Sequence, residues 1–204
     1  MAPVNLGEPV LDVAPGVRGA LLQALARLEQ PVTRRQLALI AGVAPGHGSA
    51  VVEDLIGTGL ITETPAGRSS MVALNRSHLA AGPVLTLASL RGELIRRLRE
   101  RMSRWPDLRA AWLFGSVARG ESTAESDIDL LIVADDLQAS ELHDRLARLH
   151  SDVRTWTGND VQLIEHSQES WRNLVRARNP LVEQIRRDGI ALTTEASSLL
   201  GRRR

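Results

Sequence analysis

The stretch from Leu108 to Val133 constrains the fold of this 204-residue chain more than any other. Leu108–Phe114 is mostly apolar and has strand length. It ends in Gly115-Ser116, from which a short helix opens. Ten residues after Ser116, Asp127-Ile128-Asp129 leads into a second apolar strand, Ile128–Val133. Residues i and i+2 of a strand share a face, so Asp127 and Asp129 project together. Paired carboxylates make a hard, all-oxygen cation site. Mg²⁺ takes one or two such ligands and completes its shell with water and substrate phosphates. Gly115 lets the backbone approach a phosphate closely. Ser116 and the N–H groups at the helix start offer donors to phosphate oxygens, and Arg119, one turn along, reaches the same anion. Asp-x-Asp alone is more often a pair of solvent-exposed acids; the Gly-Ser placed ahead of it makes the pattern specific.

The rest of the second half keeps alternating. Ala139–Trp156 reads as a helix and Val161–Ile164 as a strand. Helices follow around Gln168–Ala177 and Pro180–Arg187, and Ile190–Thr193 adds an edge strand. Trp105, Trp112, Trp156 and Trp171 are read as packing residues. The first half has a different rhythm. Residues 1–15 read as a flexible lead. Apolar residues at Val17, Leu21, Leu25 and Leu28 have helical spacing. Thr33 and Gln36 form a capping box for a second helix, which presents Leu37 and Ile40 to the core and stops at Gly42. Pro45 opens a third helix. Leu60–Thr64 and Met71–Leu74 then read as a hairpin around Pro65–Arg68. Gly82-Pro83 marks a boundary, and Leu85–Arg104 reads as one long Arg-rich helix closed by Pro106. The expected fold is α+β. Its divisions are a lead at 1–15, a helical and hairpin domain at 16–80, a linker helix at 81–104, a mixed-sheet domain with flanking helices at 105–195, and a basic tail at 196–204.

Composition narrows the function. There is no cysteine, which excludes disulfides and thiolate metal sites and fits a reducing cytoplasm. No apolar run nears the ~20 residues of a membrane helix, and the first fifteen residues do not form a secretory signal. All 25 basic residues are Arg, so the phosphate-binding Lys of a Walker loop is excluded. With four Trp, one Phe and no Tyr, stacking platforms for single-stranded nucleic acid are scarce. Charge is uneven: residues 1–80 are neutral, 81–104 carry +4 and 105–204 carry −3. His143 and His150 share a helix with no third histidine near them, and are read as surface residues.

Two resemblances follow from these residues. Gly115-Ser116, the ten-residue spacer and Asp127-Ile128-Asp129, with Ala118-Arg119-Gly120 and Ser126–Leu130, resemble the nucleotidyltransferase superfamily of DNA polymerase beta, and in particular its minimal members, over about residues 105–195. Over about 17–80, Gly42–Ser49 running on to Gly59-Leu60-Ile61 resembles winged helix-turn-helix regulators. The first resemblance implies Mg²⁺-dependent transfer of a nucleoside monophosphate from a nucleoside triphosphate (ATP among them) to an acceptor hydroxyl. It also implies Asp127 and Asp129 as metal ligands, Gly115, Ser116 and Arg119 on the phosphates, and a partner protein, since some such enzymes are antitoxins that modify a toxin. It further implies a third acid on the neighbouring strand, where this chain has Gln162. Asp160, two residues earlier on the same face, is the candidate to replace it as a catalytic residue. The second resemblance implies double-stranded DNA as a ligand, through Arg34, Arg35, His47, Ser49 and the wing-tip Arg68. A neutral domain gains little from counterion release, so a homodimer is the expected binding form. The alternative to a transferase is a nucleotide-sensing DNA-binding regulator with a weak or inactive nucleotidyltransferase fold; a third reading is an interaction module.

Overall fold

A computed structural model describes residues 2–201 of the chain. It is α+β and divides into two compact units, one of residues 8–90 and one of residues up to 7 together with those from 91 onward.

The first unit packs α1 (Val10–Val13), α2 (Val17–Arg27), α3 (Arg34–Ile40), α4 (Pro45–Gly57) and α5 (Ala81–Ala88) with a three-stranded antiparallel sheet. The sheet runs β1 (Val32–Thr33), β3 (Ser69–Leu74), β2 (Ile61–Ala66) in spatial order. The capping box forms as the sequence predicts: Thr33 Oγ1 accepts from Gln36 N, and the Gln36 side chain accepts from Thr33 N at 2.9 Å. Pro45 sits at the start of α4. The hairpin turn is shorter than predicted, because Ala66 pairs with Ser69 and leaves only Gly67-Arg68 between the strands. Gly67 has φ 63°, the positive value that a II′ turn needs at its first central residue. The core holds Leu21, Leu25, Leu37, Val52, Leu55, Ile61 and Val72. Ile40, expected inside, is 53% exposed, since α3 ends there and its last turn leaves the core.

Two expectations for the segments where the units meet in sequence are corrected. The lead at 1–15 is built into the fold: Leu6 and Val10 are buried, and Val10 N donates to the buried Gln23 Oε1 at 3.0 Å. The single helix expected at Leu85–Arg104 is two helices, α5 and α6 (Leu90–Met102), with Ser89 between them. Ser89 Oγ donates to the Thr86 carbonyl at 2.8 Å, the local side-chain bond by which serine competes with a continuing helix.

The second unit is a four-stranded mixed sheet in the order β6 (Val161–Ser167), β5 (Ile128–Ala134), β4 (Leu108–Phe114), β7 (Ile190–Ala191). β4 and β5 are antiparallel; β5 and β6 are parallel and joined by α8 (Ser140–Thr157), as a parallel pair requires a crossover. Trp112, Phe114, Leu131 and Val133 form one core face with Trp171 of α9 (Gln168–Arg176) and with Val182 and Ile185 of α10 (Pro180–Asp188). The Trp112 and Trp171 rings lie 5.2 Å apart. α6 buries Leu94, Leu98 and Met102, and α8 buries Leu142, Leu146, Leu149 and Val153. α7 (Gly115–Arg119) follows β4, and α11 (Ala196–Leu199) closes the described chain. Part of the tail expected at 196–204 is therefore helical, while 202–204 lie outside the described residues. Among the described residues no helix is long and apolar enough to cross a membrane.

Candidate active site

Strand register brings the predicted residues together. Phe114 pairs with Asp129 across β4 and β5, and Asp129 pairs with Gln162 across β5 and β6. The end of β4, the start of β5 and the start of β6 therefore meet at one edge of the sheet. Gly115 has φ 70°, and a Cβ built on it would lie 1.9 Å from Asp129 Oδ2. Any larger residue would be strained by this backbone and would push the Asp129 carboxylate aside. Ser116 follows at the head of α7, half-buried, and its hydroxyl makes no hydrogen bond among the described residues. Gly120, at φ 75°, ends α7 in the left-handed conformation.

The acids are electrostatically frustrated. Burial pushes the Asp129 carboxyl above the ordinary aspartate range, the adjacent Asp127 charge pushes it further, and Arg119 partly offsets both. Such a pair favours a cation between the carboxylates. Arg119 does not extend freely toward a phosphate. Its Nε donates to Glu121 at 2.7 Å, and Nη1 lies 4.0 Å from Asp188.

Gln162 sits beside the acids as predicted, its Nε2 donating to Asp127 Oδ2 at 3.3 Å. Asp160 is not brought in. Its carboxylate pairs with Arg154 at 3.1 Å, because the α8–β6 turn leaves it outside the strand and next to the last turn of α8. Among the described residues no group of three or more His, Cys, Asp or Glu side chains is placed to hold a metal. The donor set thus fits one hard cation on Asp127 and Asp129, with ligand oxygens completing the shell. It provides no third acid for a second.

Two residues that fix the site were not singled out from sequence. Arg91 donates from Nε to the Val117 carbonyl at 2.7 Å and from Nη2 to the Ala118 carbonyl at 2.5 Å, bracing the C-terminal turn of α7. Asn159 is 3% exposed and bonds the loop before Asp127. Nothing in the sequence marks Arg91 among its neighbours; Asn159, a polar residue at a strand start, gives only a weak signal.

The predicted DNA contacts are unequal. Arg35, His47, Ser49 and Arg68 are exposed. Arg34 is spent inside its unit: it makes a two-pronged pair with Glu63 at 2.8 and 2.7 Å and a further one with Glu53 at 2.8 Å. Glu63 is pulled down to about 2 by Arg34 and by the Ser70 hydroxyl. The Arg-rich helix α6 keeps an excess of positive charge, but several of its arginines are paired. Arg96 and Arg97 pair with Glu93, Arg101 pairs with Asp152, and Arg97 lies over the Trp156 ring.

Comparison with known proteins agrees for the second unit. Residues 96–195 match the family described as Polymerase beta, Nucleotidyltransferase. The match lies within the second unit and covers just under half of the chain. Among solved structures, a toxin–antitoxin complex with AMP-PNP is 24% identical over 50% of this chain and 71% of that one, with a TM-score of 0.32. The toxin–antitoxin MntA-HpeT mutant is 21% identical over 54% and 80%, with a TM-score of 0.36. A MarR family transcriptional regulator from Silicibacter pomeroyi is 18% identical over 45% and 65%, with a TM-score of 0.34. Scores this low carry no functional argument. A comparison with curated proteins finds no match.

Proposed function

We propose that the second unit binds a nucleoside triphosphate with Mg²⁺ and transfers its nucleoside monophosphate to an acceptor hydroxyl, and that the first unit is a winged helix-turn-helix that binds double-stranded DNA. The observation that carries the reading is the edge-on meeting of Gly115-Ser116 with Asp127 and Asp129, where the absent side chain of Gly115 leaves the Asp129 carboxylate room. A divalent cation held by Asp127 and Asp129 would supply the positive charge that a triphosphate needs to approach two carboxylates. The Ser116 hydroxyl, which has no partner among the described residues, donates to a phosphate oxygen. Arg119 tempers the negative charge of the acids while Glu121 holds it in place. In the transfer, the acceptor oxygen bonds to the α-phosphorus, the bond to the pyrophosphate oxygen breaks, and the acceptor proton passes to a base. Helices α2, α3 and α4 and the β2–β3 hairpin of the first unit, with exposed Arg35, His47, Ser49 and Arg68, support DNA recognition through phosphates and groove edges.

One observation favours a second reading. Gln162 bonds Asp127 where relatives of this kind carry an acid, and Asp160 faces Arg154. A chain without the third acid binds the nucleotide and transfers slowly, as a nucleotide-sensing DNA-binding regulator. Incubation with labelled ATP, CTP, GTP and UTP plus Mg²⁺ in cell extract separates the two. A labelled acceptor supports the transferase. DNA binding that responds to nucleotide without labelling supports the regulator. Absence of both defeats each reading.

A further inference from the structure

We propose that Asn159 is a positioning residue for Asp127, locked by the chain's own N-terminal segment; this rests on Asp127 being a cation ligand. Asn159 Nδ2 donates to the Ser126 carbonyl at 3.0 Å and to the Ala124 carbonyl at 3.2 Å. On the other side of Asp127, Ile128 N donates to the Asp160 carbonyl at 2.9 Å. The peptide group before Asp127 and the one after it are therefore both tied to residues 159 and 160, which fixes the two backbone dihedrals from which its carboxylate projects. Gln162, three residues further on, holds the carboxylate itself. The turn and the start of β6 thus set both the backbone and the side chain of Asp127.

Asn159 is in turn held from behind. Its Oδ1 accepts from Val4 N at 3.3 Å, and the same N–H bonds the Thr157 carbonyl at 2.8 Å. Its own N–H donates to Thr157 Oγ1 at 3.2 Å. The N-terminal segment passes at backbone distance. A Cβ on Gly158 would lie 2.6 Å from the Ala2 carbonyl oxygen, and one on Gly7 would lie 2.2 Å from that of Ser122, in the loop that Asn159 gathers. Residues 2–7 therefore strap the loop and the turn together, and Asn159 is the buried polar bridge between them.

The test compares Asn159→Ala with Asn159→Asp, which keeps the acceptor for Val4 but loses both donors, and with Thr157→Val, which disturbs the same turn without touching the loop. Amide hydrogen exchange of the unliganded full chain is expected to rise about tenfold or more across residues 122–128 in both Asn159 variants, with the β4 and β5 interior unchanged and no such rise in Thr157→Val. Affinity for a non-hydrolysable nucleoside triphosphate with Mg²⁺ is expected to fall about tenfold, the loss from misplacing one charged ligand group. Unchanged exchange at 122–128 overturns the proposal. So does faster exchange spread evenly over the unit with nucleotide affinity retained by the folded fraction. If the wild-type chain binds no nucleotide, the functional reading fails, while the exchange pattern still decides whether Asn159 positions the loop.

Discussion

Replacing Gly115 by alanine probes the tightest contact in the site. The new Cβ would stand 1.9 Å from Asp129 Oδ2, 2.9 Å from its Cγ and 3.3 Å from its Cβ, on a backbone held at φ 70°. A side chain in that left-handed conformation costs about 1–2 kcal/mol, and an overpacked contact adds about 1–3 kcal/mol if nothing moves. The Asp129 carboxylate can move, because it lies at the end of a rotatable side chain. Rotation relieves most of the clash and limits the loss of stability to about 1–3 kcal/mol. That is a fall in melting temperature of roughly 2–4 °C per kcal/mol for a chain this size. The same rotation withdraws one of the two cation ligands, so affinity for a Mg²⁺-triphosphate falls at least tenfold, about 1.4 kcal/mol or more. Calorimetric titration with a non-hydrolysable analogue, beside a thermal melt, reads both numbers. A Gly115→Ala protein that melts several degrees lower yet binds with wild-type affinity would refute the link between this glycine and the acid pair.

Other perturbations test separate parts of the site. Asp129→Asn is expected to raise the melting temperature without metal, since burial and the Asp127 charge oppose ionisation of Asp129 in the fold. For a raised carboxyl, the folded state holds the proton longer, so wild-type stability falls as pH rises from the ordinary aspartate value through the raised one. A difference between the two proteins that does not vary with pH across that window contradicts the assignment. Asp160→Ala should leave nucleotide binding and transfer as they were, because the carboxylate faces Arg154, whereas Gln162→Asp should raise transfer; a large loss of transfer in Asp160→Ala would restore it as the third acid. Arg35→Ala and Arg68→Ala should weaken DNA binding across sequences and flatten its salt dependence. Arg34→Ala should lower the melting temperature instead. The Arg34–Glu63 pair also fades as acid protonates Glu63, between its ordinary value and about 2, which a melt at falling pH detects.

The sheet edge was legible because its signals are local. Strand alternation, the Gly-Ser turn and the Asp-Ile-Asp start each depend on neighbours in sequence, while the register that sets Phe114, Asp129 and Gln162 side by side is seen only in the folded sheet. What escaped depends on residues far apart. Asp160 shares a strand parity with Gln162, yet Arg154 on the preceding helix takes its carboxylate. Arg34 reads as a phosphate ligand until Glu63, twenty-nine residues away, folds against it. The lead lacks periodicity, but Val4 finds Asn159 across 155 residues. The long helix was misread for a local reason: the apolar spacing continues through Ser89, while its hydroxyl bonds back to Thr86.

Binding of Mn²⁺ in place of Mg²⁺, followed by electron paramagnetic resonance with a non-hydrolysable nucleoside triphosphate, tests the central claim most directly. The expected result is one Mn²⁺ per chain, bound only with the nucleotide present, and lost in the Asp127→Asn, Asp129→Asn double variant while its thermal melt stays cooperative. Nucleotide-dependent Mn²⁺ binding that survives in the double variant would show that the acids at the start of β5 are not the site.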